Sequence, residues 1–195
     1  MNSSKEKILA AVKNNQPSLA PLPGKFAAKQ FETSAKKFQE SLESIGGKVY
    51  FASTNAEIKQ QIENLFPSAG RFQSVIPLSD VPLLEDLSIE HTSLQDVAVA
   101  IIPAQFGVAE NGSIWVTDEE LKIRILPFIC ENLVAILNES DIVGNMADAY
   151  DRIGSADYGF GAFIAGPSKT ADIEQSLVLG AHGPKSMTVI IRRSA

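Results

Sequence analysis

The sequence predicts an α/β fold, a mostly parallel sheet flanked by helices and interrupted by one β-hairpin. Three observations carry this. Short apolar runs alternate with segments of helical period, the pattern of strand–helix–strand units. Two runs, Val97-Ala98-Val99-Ala100-Ile101-Ile102 and Met187-Thr188-Val189-Ile190-Ile191, are apolar at nearly every position, as strands buried on both faces are. Asn111-Gly112, set between Val108-Ala109-Glu110 and Ser113-Ile114-Trp115-Val116, is the signal of a two-residue hairpin turn.

The elements follow in chain order. Ser3-x-x-Glu6 is a capping box for a short helix carrying Ile8, Leu9 and Val12. Pro17 to Gly24 holds three prolines and a glycine, which removes backbone donors and biases the chain toward an extended linker. Residues 1–24 are therefore expected to be an appendage and residues 25–195 the α/β domain. Phe31, Ala35, Phe38, Leu42 and Ile45 mark one face of a helix that Gly46-Gly47 stops. Val49 to Ala52 reads as a strand, and Thr54-x-x-Glu57 caps a second helix with Ile58, Ile62 and Leu65 inward. Further strand-like runs lie at 74–77, 97–102, 113–117, 132–137, 160–165 and 187–191, with helix-length segments at about 140–151 and 170–180.

At 195 residues and 45% hydrophobic the chain can bury one sizeable core. Seventeen basic residues against 23 acidic ones give a net charge of −6, and no Lys/Arg cluster offsets it. Nucleic acid and anionic membrane are accordingly not expected as partners. Cys130 is the one cysteine, too few for an internal disulfide, a CxxC zinc site or an iron–sulfur cluster. The two histidines, His91 and His182, are too far apart for a metal signature, so no metal and no cofactor are expected. The Val97–Ala104 run is far too short to span a bilayer, and the N-terminal residues lack the apolar core of an export signal. A cytoplasmic location is expected.

Chemistry concentrates in three places. Gly166-Pro167-Ser168-Lys169-Thr170-Ala171-Asp172-Ile173-Glu174 follows the 160–165 run and precedes the expected helix at 170–180. A strand end feeding a helix N-terminus presents backbone N–H groups to an anion, with the Ser168 and Thr170 hydroxyls and the Lys169 charge beside them. The plainer reading makes Ser168 or Thr170 a helix cap and leaves Asp172 and Glu174 to satisfy the dipole. His182, in Gly180-Ala181-His182-Gly183-Pro184, could serve as acid, base or ligand, or simply hold a turn. A helix of about ten residues would part its ends by roughly 15 Å, so spacing places His182 away from Ser168. The third place is the hairpin Glu110-Asn111-Gly112-Ser113, which read alone is just a turn. Ser168, Lys169 and Thr170 rank first as ligand contacts, Glu110 and Asp172 next as carboxylates able to act in catalysis, and His182 last. Cys130 lies among apolar residues and reads as a packing thiol. No GxGxxG, GxxxxGK[ST] or GxSxG occurs.

At these residues the chain resembles a known family. Ile164 to Glu174, followed by Leu177-Val178-Leu179-Gly180-Ala181-His182-Gly183-Pro184, is similar to the C-terminal signature of the LUD (lactate-utilisation) domain. Ala109-Glu110-Asn111-Gly112-Ser113 is similar to that family's Ala-Glu-Thr-Gly-Thr hairpin, and the resemblance runs from about residue 31 to 195. Lys169 stands where arginine is common, and Asn111 and Ser113 where threonines are common; lysine keeps the charge without the bidentate fork. The resemblance implies a fold like the glucosamine-phosphate deaminase, ribose-phosphate isomerase and CoA-transferase group, whose members bind phosphorylated sugars, CoA esters or folates. It implies a short, cluster-free member that works beside iron–sulfur proteins in oxidising L-lactate to pyruvate. It adds Gly112, Ser113 and Gly166 to the expected ligand-binding set.

Three readings stay open. The first is an accessory component of that oxidation, holding a small anionic ligand through Ser168, Lys169 and Thr170. The second is a stand-alone isomerase or CoA-transferase-type enzyme with Glu110 as base or nucleophile. The third is an interaction module whose motifs only shape turns. The cysteine count generates one prediction: the purified protein is colourless, and iron analysis finds no stoichiometric metal. A visible absorption band with bound iron would overturn it.

Overall fold

The computed structural model describes residues 3–18, 34–85, 90–170, 178–180 and 182–193. In chain order its elements are α1 (Ser4–Asn14), α2 (Ala35–Ser44), β1 (Lys48–Ala52), α3 (Asn55–Leu65), β2 (Arg71–Ser74), β3 (Val97–Pro103), β4 (Phe106–Val108), β5 (Ser113–Thr117), α4 (Asp118–Leu121), α5 (Leu126–Ile129), β6 (Asn132–Asn138), β7 (Ile142–Val143), α6 (Met146–Ile153), β8 (Gly161–Ile164), β9 (Lys169–Thr170), β10 (Val178–Leu179) and β11 (Ser186–Arg192).

Five strands make a parallel sheet in the order β1-β11-β6-β3-β2. The crossover through α3 carries the chain from one edge of this sheet to the other, and later strands fill inward. Alternation assigns the two faces. Val99, Ile101, Val134, Ile136 and Ile190 pack under Ile58 and Ile62 of α3. Ala100, Ile102, Leu133, Leu137, Val189 and Ile191 point the other way, toward Phe38 and Leu42 of α2, Leu121 of α4, Leu126 of α5 and Ile114 of β5. Both faces are covered, as the continuous apolar runs require.

A second, mixed sheet runs β7-β4-β5-β8 and packs its inner face on that same core. Its outer face carries Phe106, Val108, Trp115 and Phe163 beneath Ala149 and Ile153 of α6. Gly107 of β4 packs against β6 and α2: a Cβ there would meet Leu137 at 2.6 Å and Phe38 at 2.9 Å.

Several expectations shift. The helix that sequence periodicity starts near Phe31 is described from Ala35, with Ser34 accepting from Lys37 N–H as its cap; Phe31 lies outside the described residues. The strand expected at 74–77 sits upstream at Arg71–Ser74, because Ser74 turns its hydroxyl onto the Ile76 carbonyl and backbone onto Pro82 and Leu84. The helix expected at 140–151 begins only at Met146, where Asn145 accepts from Asp148 N–H. The 160–165 run is a strand, β8, but of the second sheet. The helix expected at about 170–180 is not formed at its described ends, where Lys169–Thr170 and Val178–Leu179 pair as an antiparallel ribbon. Residues 171–177, with Asp172, lie outside the described residues. The hairpin is present with a four-residue loop rather than two, because Val108 pairs with Ser113.

Helix α1 has its capping box, Ser3 with Glu6, yet none of its residues is buried, and Ile8, Leu9 and Val12 are each more than half exposed. Such a helix adds little to the core. Deleting residues 1–24 is expected to leave the thermal midpoint within about 3 °C, the shift made by roughly 1 kcal/mol in a domain of this size. Calorimetry on the truncated chain checks it; a fall of ten degrees or insolubility would show that α1 stabilises the domain.

Candidate functional site

The hairpin loop is built by its own side chains and held by two helices. Gly112 N–H donates to the Val108 carbonyl at 2.9 Å, and Asn111 Oδ1 accepts from Ser113 N–H at 3.0 Å and from Ser113 Oγ at 2.7 Å. Asn thus closes its own turn, which fixes the four-residue form. Gly112 is left-handed, with φ 69°, and a Cβ on it would lie 2.5 Å from the Leu42 backbone nitrogen of α2. From the same helix Ser41 Oγ donates to the Ala109 carbonyl at 2.7 Å. Glu110 reaches the other way. Its Oε2 accepts from Met146 N–H at 2.9 Å, the first helical residue of α6, where a carboxylate meets the positive end of the dipole. Glu110 is exposed, whereas Gly112 and Ser113 are buried in the loop's packing.

The C-terminal motif meets this loop. Strands β5 and β8 are antiparallel with Ile114 opposite Ile164, so Gly166 leaves β8 at the end of the sheet where Gly112 enters β5. Gly166 is left-handed (φ 72°) and packs on α2's end, a Cβ there standing 3.2 Å from the Ile45 carbonyl oxygen. Gly46, which ends α2 with φ 93°, faces Pro167 and Lys169; its Cβ position is 3.7 Å from Lys169 Nζ. The Lys169 ammonium therefore stands at the negative end of the α2 dipole, an interaction of about 0.3–1 kcal/mol.

The third loop closes on Ser168. Ser168 N–H donates to the Pro184 carbonyl at 2.9 Å, and Gly180 N–H donates to the Ser168 carbonyl at 3.1 Å. A Cβ on Gly183 would stand 3.1 Å from Ser168 Cβ. The loop that carries His182 is thus beside Ser168, and the roughly 15 Å separation inferred from a helix is corrected: a ribbon folds its two ends together, whereas a helix parts them. The ribbon also corrects the anion cradle. The Ser168 amide is occupied by Pro184, and Thr170 is paired in β9 instead of opening a helix. What this surface presents is the half-buried Ser168 with the exposed Lys169 and His182.

These loops sit at the amino edge of the parallel sheet. Gly46 precedes β1, Pro184 precedes β11, and Lys185 N–H donates to the Glu131 carbonyl just before β6. Cys130, next to that point, is 2% exposed, and burial pushes its thiol up to about 12, which keeps it protonated and unreactive. Among the described residues no three His, Cys, Asp or Glu side chains gather as a metal set, and no helix is long and apolar enough to cross a membrane. Sequence reasoning missed Ser41 and Leu42 as partners of the hairpin; the small Ser41 on an otherwise apolar helix face was the available signal.

Comparison with known proteins identifies where these motifs recur. A family model described as the LUD domain matches residues 89–191, a span that holds all three loops. The chain is 33% identical over 110 residues to lactate utilization protein C of Shouchella clausii, a match covering 53% of this chain and 47% of that protein. It is 34% identical over 99 residues to lactate utilization protein C of a Geobacillus species (48% and 41% covered), and 36% identical over 90 residues to lactate utilization protein C 1 of Bacillus mycoides (43% and 38% covered). In each case the matched segment spans less than half the length of the relative. The crystal structure of a DUF162 family protein from Deinococcus radiodurans superposes with a TM-score of 0.60 over 80% of this chain and 94% of that one; at 18% identity this likeness is one of fold.

The contact of Gly112 with α2 generates a prediction. Gly112→Ala is expected to cost roughly 2–4 kcal/mol, from left-handed backbone strain plus overlap with the Leu42 backbone. Urea denaturation measures it. A midpoint unchanged from wild type would mean that α2 does not seat on the loop.

Proposed function

The chain belongs to the LUD domain family, and on that premise we propose that it is an accessory component of a lactate-utilisation system. In this reading it is cluster-free itself and works in the cytoplasm beside iron–sulfur proteins that take the electrons as L-lactate becomes pyruvate. The supporting observation is that the hairpin loop and the Gly166–Lys169 segment both pack on the end of α2 while the 180–184 loop closes on Ser168, all inside the matched span of residues 89–191. The relatives named for lactate utilisation supply the process. The single buried cysteine, unable to hold a cluster, supports placing the redox centre on a partner.

A small anionic ligand would meet this surface through Ser168 and Lys169, with Thr170 and His182 beside them. The accessory reading is preferred to the transferase one because Glu110, the carboxylate the latter needs, has its Oε2 engaged by Met146 N–H at the start of α6.

Disrupting the gene in its host is expected to abolish growth on L-lactate while sparing growth on pyruvate. The wild-type chain should restore growth and co-purify with cysteine-rich proteins. Lys169→Ala should restore it less well at equal protein level, since loss of an exposed lysine leaves stability nearly unchanged. Undiminished growth of the disrupted strain on L-lactate would overturn the proposal.

A further inference from the structure

The carboxyl edge of the parallel sheet holds a second place where chemistry collects, opposite the motif loops. Because β1, β11, β6 and β3 are parallel, their ends open together, and in open α/β sheets that edge is where ligands bind. Strands β1, β11 and β6 finish in register at Ala52, Arg192 and Asn138. On the face toward α3 the apolar rows change character at the last step, from Ile190 to Arg192 and from Ile136 to Asn138. A cavity of about 240 Å³ lies there, lined by Asn55, Ile76, Pro77, Pro103, Asn138 and Arg192.

Arg192 is the unusual residue. The chain has five arginines. Arg71, Arg124, Arg152 and Arg193 pair with Asp96, Asp118, Asp141 and Glu139 respectively. Among the described residues no carboxylate pairs with Arg192; its Nη2 donates to the neutral Asn55 Oδ1 at 2.9 Å. That bond fixes the orientation of a half-buried guanidinium and uses one of its five donors. The remaining donors of the guanidinium are left for water or a ligand.

Two larger clefts among the described residues lack this feature. The one of about 440 Å³ beside α3 has both its cations paired, Lys59 with Asp80 and Arg71 with Asp96. The one of about 290 Å³ beneath Trp115 has Arg152 paired with Asp141.

We propose that the carboxyl-edge cavity binds a short-chain organic monocarboxylate, its carboxylate on the Arg192 guanidinium and its hydrocarbon body against Ile76, Pro77 and Pro103. One guanidinium matches one negative charge and the planar geometry of a carboxylate. Ile76, Pro77 and Pro103 give a short carbon chain an apolar contact, alongside the amides of Asn55 and Asn138. This site stands on the opposite edge of the sheet from Ser168 and Lys169 and does not depend on them.

The test titrates propionate, L-lactate, pyruvate and inorganic phosphate into the full chain, read by calorimetry and by amide shifts in NMR. Expected are binding of at least one carboxylate more tightly than phosphate, and shifts centred on Asn55, Asn138 and Arg192. Arg192→Gln should weaken that binding roughly tenfold or more, and Arg192→Lys less. Lys13→Ala, which removes a charge from the exposed helix α1, should leave it unchanged. Should Arg192→Gln fail to fold, the wild-type shifts decide alone. No carboxylate binding to the wild-type chain, stronger binding of phosphate, shifts centred on Ser168 and His182, or equal affinity in Arg192→Gln would each overturn the proposal.

Discussion

The backbone of Leu42 occupies the space that a side chain on residue 112 would need, so the hairpin and α2 can meet only at a glycine. Much else is arranged around that contact. Phe38 and Leu42 are wholly buried between the two sheets, and Ser41 ties the same helix to the Ala109 carbonyl. One turn further on, Ile45 and Gly46 receive Gly166 and Pro167. Helix α2 is therefore a post between two loops that are some fifty residues apart in sequence. Residues 112 and 166 are both left-handed glycines on its flank, the first also forced by backbone overlap with Leu42 and the second in close contact with the Ile45 carbonyl.

The hydrogen bonds of these loops show what they can offer. Ser168 gives its amide and its carbonyl to the two arms of the following segment, Glu110 gives a carboxylate oxygen to α6, and Asn111 closes its own turn. Several polar groups of the motifs thus hold the architecture, while Lys169 carries its charge toward solvent. The opposite edge of the parallel sheet is arranged differently. There Arg192, fixed by an amide, has no described counter-charge, while the chain's other arginines each have one. The two edges divide the polar chemistry, one built for self-assembly of loops and the other carrying an unmatched cation.

The parts of the fold legible in sequence were those decided within a few residues. The capping box at Ser3 starts α1 as its spacing says, and Thr54 caps α3 by accepting from Glu57 N–H, although the Glu57 carboxylate takes the Ser53 amide and so leaves the box half-formed. The uninterrupted apolar runs of β3 and β11 lie inside the sheet, since only a position covered on both sides accepts such a run. The 160–165 run gave no sign that its partner is β5, because a strand's apolar pattern records burial and not its neighbour. The ends of the expected 170–180 helix misled for a related reason. Its described ends pair with each other, and Ser168 pairs with Pro184, so tertiary hydrogen bonds override a helical pattern.

The sequence by itself determined that the chain builds an α/β core buried on both faces, that one cysteine cannot carry a cluster, and that the Ala109–Ser113 and Gly166–Pro184 segments belong to a recognisable family. Composition, period and short motifs suffice for these because each is a local property. Only the tertiary structure decided that those segments meet at one end of α2, that His182 returns to Ser168, and that Arg192 stands at a cavity beside Asn55. Such juxtapositions depend on which strands pair and how a helix packs across them, and residues far apart in the chain carry no local mark of where they will meet.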